Sequence, residues 1–133
     1  ITRGSGRILN VSSIASLVPG PWQATYFAAK AYVTSLTLAL SEELRGTGVT
    51  ATVVLPGGMR SGFEAAAKLE GTGLAAQLTQ SPDDVARRSY EAMLRGRRKL
   101  IAGTPLLQRL LLRLVPFAPT AFVLRVVARL HKR

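Results

Sequence analysis

The sequence has no cysteine, one histidine, seven acids and few aromatic rings. Without cysteine there is no disulfide framework and no thiolate metal site, which fits a reducing compartment such as the cytoplasm. The lone histidine, His131, excludes a multi-histidine metal centre and argues against a Ser-His-Asp hydrolase. No stretch reaches about 18 uninterrupted apolar residues, so no spanning helix is expected. Apolar residues still make up 47% of the 133 residues, which excludes intrinsic disorder and suffices for one domain with a core.

Acids are missing altogether beyond Glu91. The net charge of +11 is therefore unevenly placed: residues 1–94 carry +1, and residues 95–133 carry ten basic residues and no acid. A basic balance suggests nucleic acid or an anionic membrane. Nucleic-acid surfaces interleave basic residues with exposed aromatics, whereas here the basic tail is interleaved with leucine and valine. The chain thus divides into a body, 1–103, whose first 94 residues are nearly neutral, and a basic tail, 104–133.

Gly4-Ser5-Gly6 signals a turn, and Arg7 to Val11 reads as a short strand. A Ser/Gly/Pro-rich loop runs from Ser12 to Gln23. From Ala24 to Arg45, Phe27, Tyr32, Leu36, Leu40 and Leu44 recur at helical spacing, and Gly46 is placed to stop the helix. Val49 to Leu55 is β-branched and almost wholly apolar, as suits a strand buried on both faces of a parallel sheet. Residues 61–80 predict one or two short helices. Ser81-Pro82-Asp83-Asp84 starts a helix running to Arg95, with Ser81 as cap. Lys99 to Ala102 is a further short strand. This alternation implies an α/β fold with a parallel sheet and right-handed crossovers, and three strands read as part of a larger sheet.

Tyr26 and Lys30 are four residues apart and share a helix face. Ser13 precedes Tyr26 by thirteen residues, at the carboxyl end of the first strand, where open α/β sheets bind ligands. An ammonium group beside a phenol favours the ionised phenol and makes an acid–base unit, and a nearby serine hydroxyl can hold a substrate oxygen. Trp22 lies in the loop between them and either lines the pocket or anchors the loop.

Asn10-Val11-Ser12-Ser13, Tyr26-Phe27-Ala28-Ala29-Lys30 and Val54-Leu55-Pro56-Gly57-Gly58-Met59-Arg60-Ser61 together resemble the short-chain dehydrogenase/reductase family. The resemblance implies the last three strands and helices of a Rossmann-type doubly wound sheet, followed by an amphipathic helical tail. It implies an NAD- or NADP-dependent oxidoreductase that moves a hydride between the nicotinamide and a small alcohol or carbonyl substrate. Tyr26 would be the general acid/base, Lys30 would bind the nicotinamide ribose, and Ser13 would hold the substrate oxygen. Pro56, Gly57, Met59 and Ser61 would lie along the nicotinamide, while Ser12 would serve the backbone. The family also pairs through the helix that carries Tyr and Lys, which leaves a homo-oligomer open.

The family's glycine-rich turn follows a strand and opens a helix; Gly4-x-Gly6 precedes a strand instead. The chain is therefore expected to be the carboxyl-terminal half of a domain about twice as long, and inactive alone. In the tail, Arg109 and Arg113, and Arg125 and Arg129, stand at i,i+4 on two short helices, Leu106–Val115 and Ala121–Leu130, separated by Pro116 and Pro119. Such helices suit an anionic membrane surface, a lid, or a partner subunit. The alternative to an oxidoreductase is a non-catalytic remnant that acts as a membrane-peripheral or binding module through this tail.

Overall fold

The computed structural model describes residues 1–59 and 80–131. The short helices expected over 61–80 therefore fall almost wholly outside the described residues, as does Ser61. Among the described residues three strands form one parallel sheet: β1 (Gly6–Val11), β2 (Val49–Pro56) and β3 (Lys99–Ala102), in the order β1-β2-β3. The helices are α1 (Ala24–Glu43), α2 (Pro82–Leu94), α3 (Leu106–Leu114) and α4 (Thr120–His131).

β2 is the centre of the sheet because it can be buried on both faces. Ala51 to Pro56 are all buried, and Val53, Val54 and Leu55 are wholly so. Successive residues point to opposite faces. Leu9 on β1, Val54 on β2 and Leu100 and Ala102 on β3 make one face, and Val85 of α2 packs there. Asn10 points to the other face and donates a hydrogen bond to Thr37 Oγ1 of α1 at 2.9 Å. The two long helices thus cover opposite faces, and three layers result.

α1 spans the expected segment but turns a different face inward. Phe27 and Leu44 are buried, as the periodicity predicts. Tyr32, however, is 66% exposed and Leu36 also faces out, while Thr34 and Thr37 are buried. Hydrogen bonding decides the rotation. Thr37 Oγ1 accepts from Asn10 and donates to the Val33 carbonyl at 2.6 Å, and Thr34 Oγ1 donates to Ser12 Oγ at 2.7 Å. Two threonines with matched partners can sit in the interior at little cost, which frees the larger residues to face outward.

The start of α2 corrects a second expectation. Ser81 occupies the cap position, but its side chain makes no capping hydrogen bond; its backbone carbonyl accepts from Val85 N at 3.2 Å. Pro82, Asp83 and Asp84 fill the first turn as expected. At the opposite end of the sheet, Glu42 pairs with Arg45 and, at 3.0 Å, with Arg98, tying the end of α1 to the approach to β3. The hydrogen bond from Arg45, with the charge of Arg98, holds the Glu42 carboxyl below the usual carboxylate range.

The chain leaves β3 through Gly103 and Thr104 and continues as α3 and α4, joined by a 3-10 turn at Val115–Phe117. No helix among the described residues is long and apolar enough to cross a membrane.

Thr52 is wholly buried, and its hydroxyl has no hydrogen-bond partner among the described residues. Replacing it with valine keeps the β-branched shape and removes an unsatisfied polar group. Thr52→Val is expected to stabilise the fold by about 1 kcal/mol, read as a raised urea midpoint with an unchanged slope.

Candidate active site

The site is built where β1 ends. Ser12 N donates to the Val54 carbonyl at 2.8 Å, which keeps the chain on the sheet one residue beyond the strand. The Ser12 side chain then turns into the interior. Its Oγ donates to the Lys30 carbonyl at 2.8 Å and accepts from Thr34. The buried hydroxyl of Ser12 therefore fixes the backbone of α1 at Lys30 against the end of β1.

From that backbone the Lys30 side chain reaches back across the strand end. Its Nζ donates to the Val11 carbonyl at 3.2 Å and lies 5.8 Å from the centroid of the Tyr26 ring, one turn earlier on the same face. Tyr26 meets Phe27 edge to face, with centroids 5.9 Å apart and an interplanar angle of 77°. Phe27 is buried beneath Gly20, where a Cβ would lie 2.2 Å from its ring. Only glycine at 20 allows the loop to press onto the first turn of α1.

Ser13 begins the next element. Its Oγ accepts from Ala15 N at 3.1 Å and its carbonyl accepts from Ser16 Oγ at 2.7 Å, so it caps a 3-10 turn over Ile14–Leu17. That cap fixes the hydroxyl beside the carboxyl end of the sheet, with its own proton still to give. Ser13, Tyr26 and Lys30 are thus all half-buried on segments that leave or face the end of β1.

The neighbouring strand ends bring in other predicted residues in different ways. Pro56 is buried as the last residue of β2. Gly57 follows, its N–H donating to the Ala102 carbonyl at 2.8 Å. A Cβ there would come within 2.8 Å of Thr104 Oγ1 and 2.9 Å of the Gly103 carbonyl oxygen, so the close passage at Gly57 is against the start of the tail. Met59 pairs with Gln80 in a parallel bridge and packs against the cluster of Val54, Val85 and Ala102. Trp22 is 76% exposed with φ of 70°, so its indole stands in solvent and does not anchor the loop.

Three contributors escaped the sequence reading. Thr34 looked like one polar residue in a helix but completes the Ser12 link. Gly20 was one turn residue among several, and its need for small size depends on Phe27 lying below it. Thr104 was assigned to the tail, yet it is buried against Gly57, with its Oγ1 donating to the Ala102 carbonyl at 3.3 Å. Gly103, with φ of +68°, was the available hint that the chain turns sharply back there.

A phenol, an ammonium and a hydroxyl at the carboxyl ends of parallel strands can bind oxygen-rich ligands and exchange one proton with them. Residues 1–70 match the family model for short chain dehydrogenase. A 3-oxoacyl-[acyl-carrier-protein] reductase of Synechocystis is 47% identical over 53 residues, which cover 40% of this chain and 22% of that protein. A short-chain type dehydrogenase/reductase of Picea abies is 43% identical over 67 residues, covering 50% of this chain and 25% of that protein. Among solved structures, a 7beta-hydroxysteroid dehydrogenase aligns over 96% of this chain and 49% of its own, with a TM-score of 0.75 and 22% identity. A short chain dehydrogenase/reductase of Burkholderia phymatum in complex with NAD aligns over 85% of this chain and 48% of its own, with a TM-score of 0.68 and 24% identity. The structural likenesses carry the fold, and the chain spans about half the length of those solved proteins. The sheet with its covering helices, and the match over the strand end and the Tyr–Lys helix, agree: the chain belongs to the short chain dehydrogenase family.

Proposed function

We propose that these residues form the proton-transfer half of an NAD- or NADP-dependent oxidoreductase acting on a small alcohol or carbonyl compound. The observation that carries this reading is the Tyr26–Lys30 pair, with Lys30 Nζ held at 3.2 Å from the Val11 carbonyl and 5.8 Å from the phenol ring at the carboxyl end of β1. The donor set fits the nicotinamide ribose. Lys30 can donate to the two ribose hydroxyls, and the half-buried Tyr26 lies on the same helix face. When bound, the nicotinamide supplies or accepts the hydride.

Tyr26 gives its phenolic proton to the substrate oxygen as a carbonyl becomes an alcohol, and takes a proton in the reverse direction. Ser13 donates its hydroxyl proton to the same substrate oxygen and orients it. Pro56, Gly57, Met59 and Ser61 are assigned to the nicotinamide side, and Trp22 to the substrate side. Ser12 and Thr34 are positioning residues that act through the Lys30 backbone.

The start of α2 does not suit the pyrophosphate end of such a cofactor, because Asp83 and Asp84 in its first turn would repel phosphate. Residues 1–103 are read as the dehydrogenase piece and 104–133 as a separate tail. The outward face of α1, with Tyr32 and Leu36 exposed, suits pairing with a second copy.

Assayed alone, the 133-residue chain is expected to give no oxidation of NADH or NADPH with any carbonyl acceptor. Turnover that disappears in Tyr26→Phe would overturn this expectation. Fused behind the amino-terminal half of a family member, the chain is expected to turn over. There Tyr26→Phe should lower kcat by about 10²- to 10⁴-fold with helix content unchanged. A folded fusion in which Tyr26→Phe has no effect would remove Tyr26 from the chemistry. Ser12→Ala in the same fusion is expected to lower kcat less than Tyr26→Phe and to destabilise the fold by about 1–3 kcal/mol, read from urea unfolding.

A further inference from the structure

We propose that α3, the turn after it and the arginines around it dock this chain on an anionic lipid surface. The first observation is that α3 is turned inside out. At about 100° per residue, Leu106, Leu110, Leu114, Leu107 and Leu111 fall within one sector of roughly 140°. A helix on a protein surface normally turns such a stripe inward. Here all five leucines are 47–73% exposed. The residues turned toward the protein are Gln108, Arg109 and Leu112, which are half-buried. The inward side even carries Arg109, whose buried Nε has no partner among the described residues.

Apolar exposure continues along the chain past the helix. Phe117, in the 3-10 turn, is 86% exposed, and Phe122 in the first turn of α4 also faces out. Val123 is the buried contact that holds α4 to the protein. One connected segment therefore presents five leucines and two phenylalanines to solvent, an arrangement with a defined class of partner.

Charge selects that partner. Arg113 is exposed at the edge of the leucine sector, and Arg125 and Arg129 are exposed on α4. Residues 104–133 hold six basic residues and no acid. A second copy laid on this face would bring two such segments together with no acid to compensate them. A nucleic acid would neutralise the arginines and leave the leucines in water. An anionic bilayer satisfies both: the leucines enter the boundary between headgroups and acyl chains, and the arginine stems lie along it with their guanidinium groups among the headgroups. With no spanning helix among the described residues, the chain lies on the membrane. α3 leaves the sheet through Gly103 and Thr104, so docking ties the carboxyl end of the sheet to that surface.

The test uses the full 133-residue chain and sucrose-loaded vesicles, of phosphatidylcholine alone or with roughly one-third phosphatidylserine. The chain is expected to sediment with the anionic vesicles, weakly or not at all with the neutral ones, and less as salt rises. Leu107→Ser with Leu111→Ser changes only outward residues and should keep the helical circular dichroism. It is expected to lower anionic-vesicle partitioning on the order of tenfold or more. Arg113→Gln with Arg125→Gln should lower it on the order of tenfold. Sedimentation with neither vesicle overturns the proposal. So does unchanged partitioning of the double-serine variant, which would leave only charge attraction. A dimer in solution that dissociates in that variant, without vesicle binding by the parent chain, would assign the face to a second copy and overturn it equally. Retention on duplex DNA alone would do the same.

Discussion

The hydroxyl of Ser12 is the constraint on which the site depends. It is buried, so it must be satisfied, and it is satisfied by two points on α1: the Lys30 carbonyl and the Thr34 hydroxyl. With Ser12 N also bonded to β2, one residue joins two strands and a helix. A bond to the carbonyl of Lys30 sets the height of α1 along the sheet, and the bond from Thr34 sets its rotation. Together these bring the Lys30 ammonium to the Val11 carbonyl and stack it one turn from Tyr26. The Lys30 and Tyr26 side chains, to which the proposed proton exchange is assigned, are thereby placed by a third residue.

The same rotation accounts for the outward face of α1. Once Thr34 and Thr37 are committed to Ser12 and Asn10, the helix cannot also turn Tyr32 and Leu36 inward. Polar contacts of ordinary strength outweigh apolar burial here because the other rotation would take Thr37 from Asn10 and Thr34 from the buried Ser12 hydroxyl, at about 1–3 kcal/mol each. An exposed tyrosine and leucine cost far less, since apolar atoms make up much of any protein surface.

This explains what could be read in advance. The strand read over Val49–Leu55 was visible because its composition requires burial, Lys99–Ala102 was visible as a short run before Gly103, and α1 and α2 were visible from spacing and punctuation. Tyr26, Lys30 and Ser13 were visible because four residues along a helix and the end of a strand are local relations. The inward face of α1 was not visible: a periodicity count weighs leucine above threonine and cannot know that Asn10 and Ser12 lie opposite. Gly20 and Gly57 were legible as turn residues, but the need for no side chain comes from Phe27 and Thr104, distant in sequence. Ser81 failed as a side-chain cap although its neighbours behaved as expected, so the helix start was set by Pro82 and the two aspartates.

Charge followed the opposite course. Its position along the chain was plain from the sequence, but its meaning needed the orientation of α3. Had the five leucines faced the protein, the arginines would be ordinary solvated side chains and the tail a cover for the end of the sheet. With the leucines outward and Arg109 inward, the tail keeps its apolar surface for something other than its own core. Basic groups bordering such a surface, with no acid to answer them, favour a partner that offers both negative charge and an apolar interior. The short-range bonds around Ser12 are screened little by salt, whereas the proposed attraction through the exposed Arg113, Arg125 and Arg129 would be screened strongly.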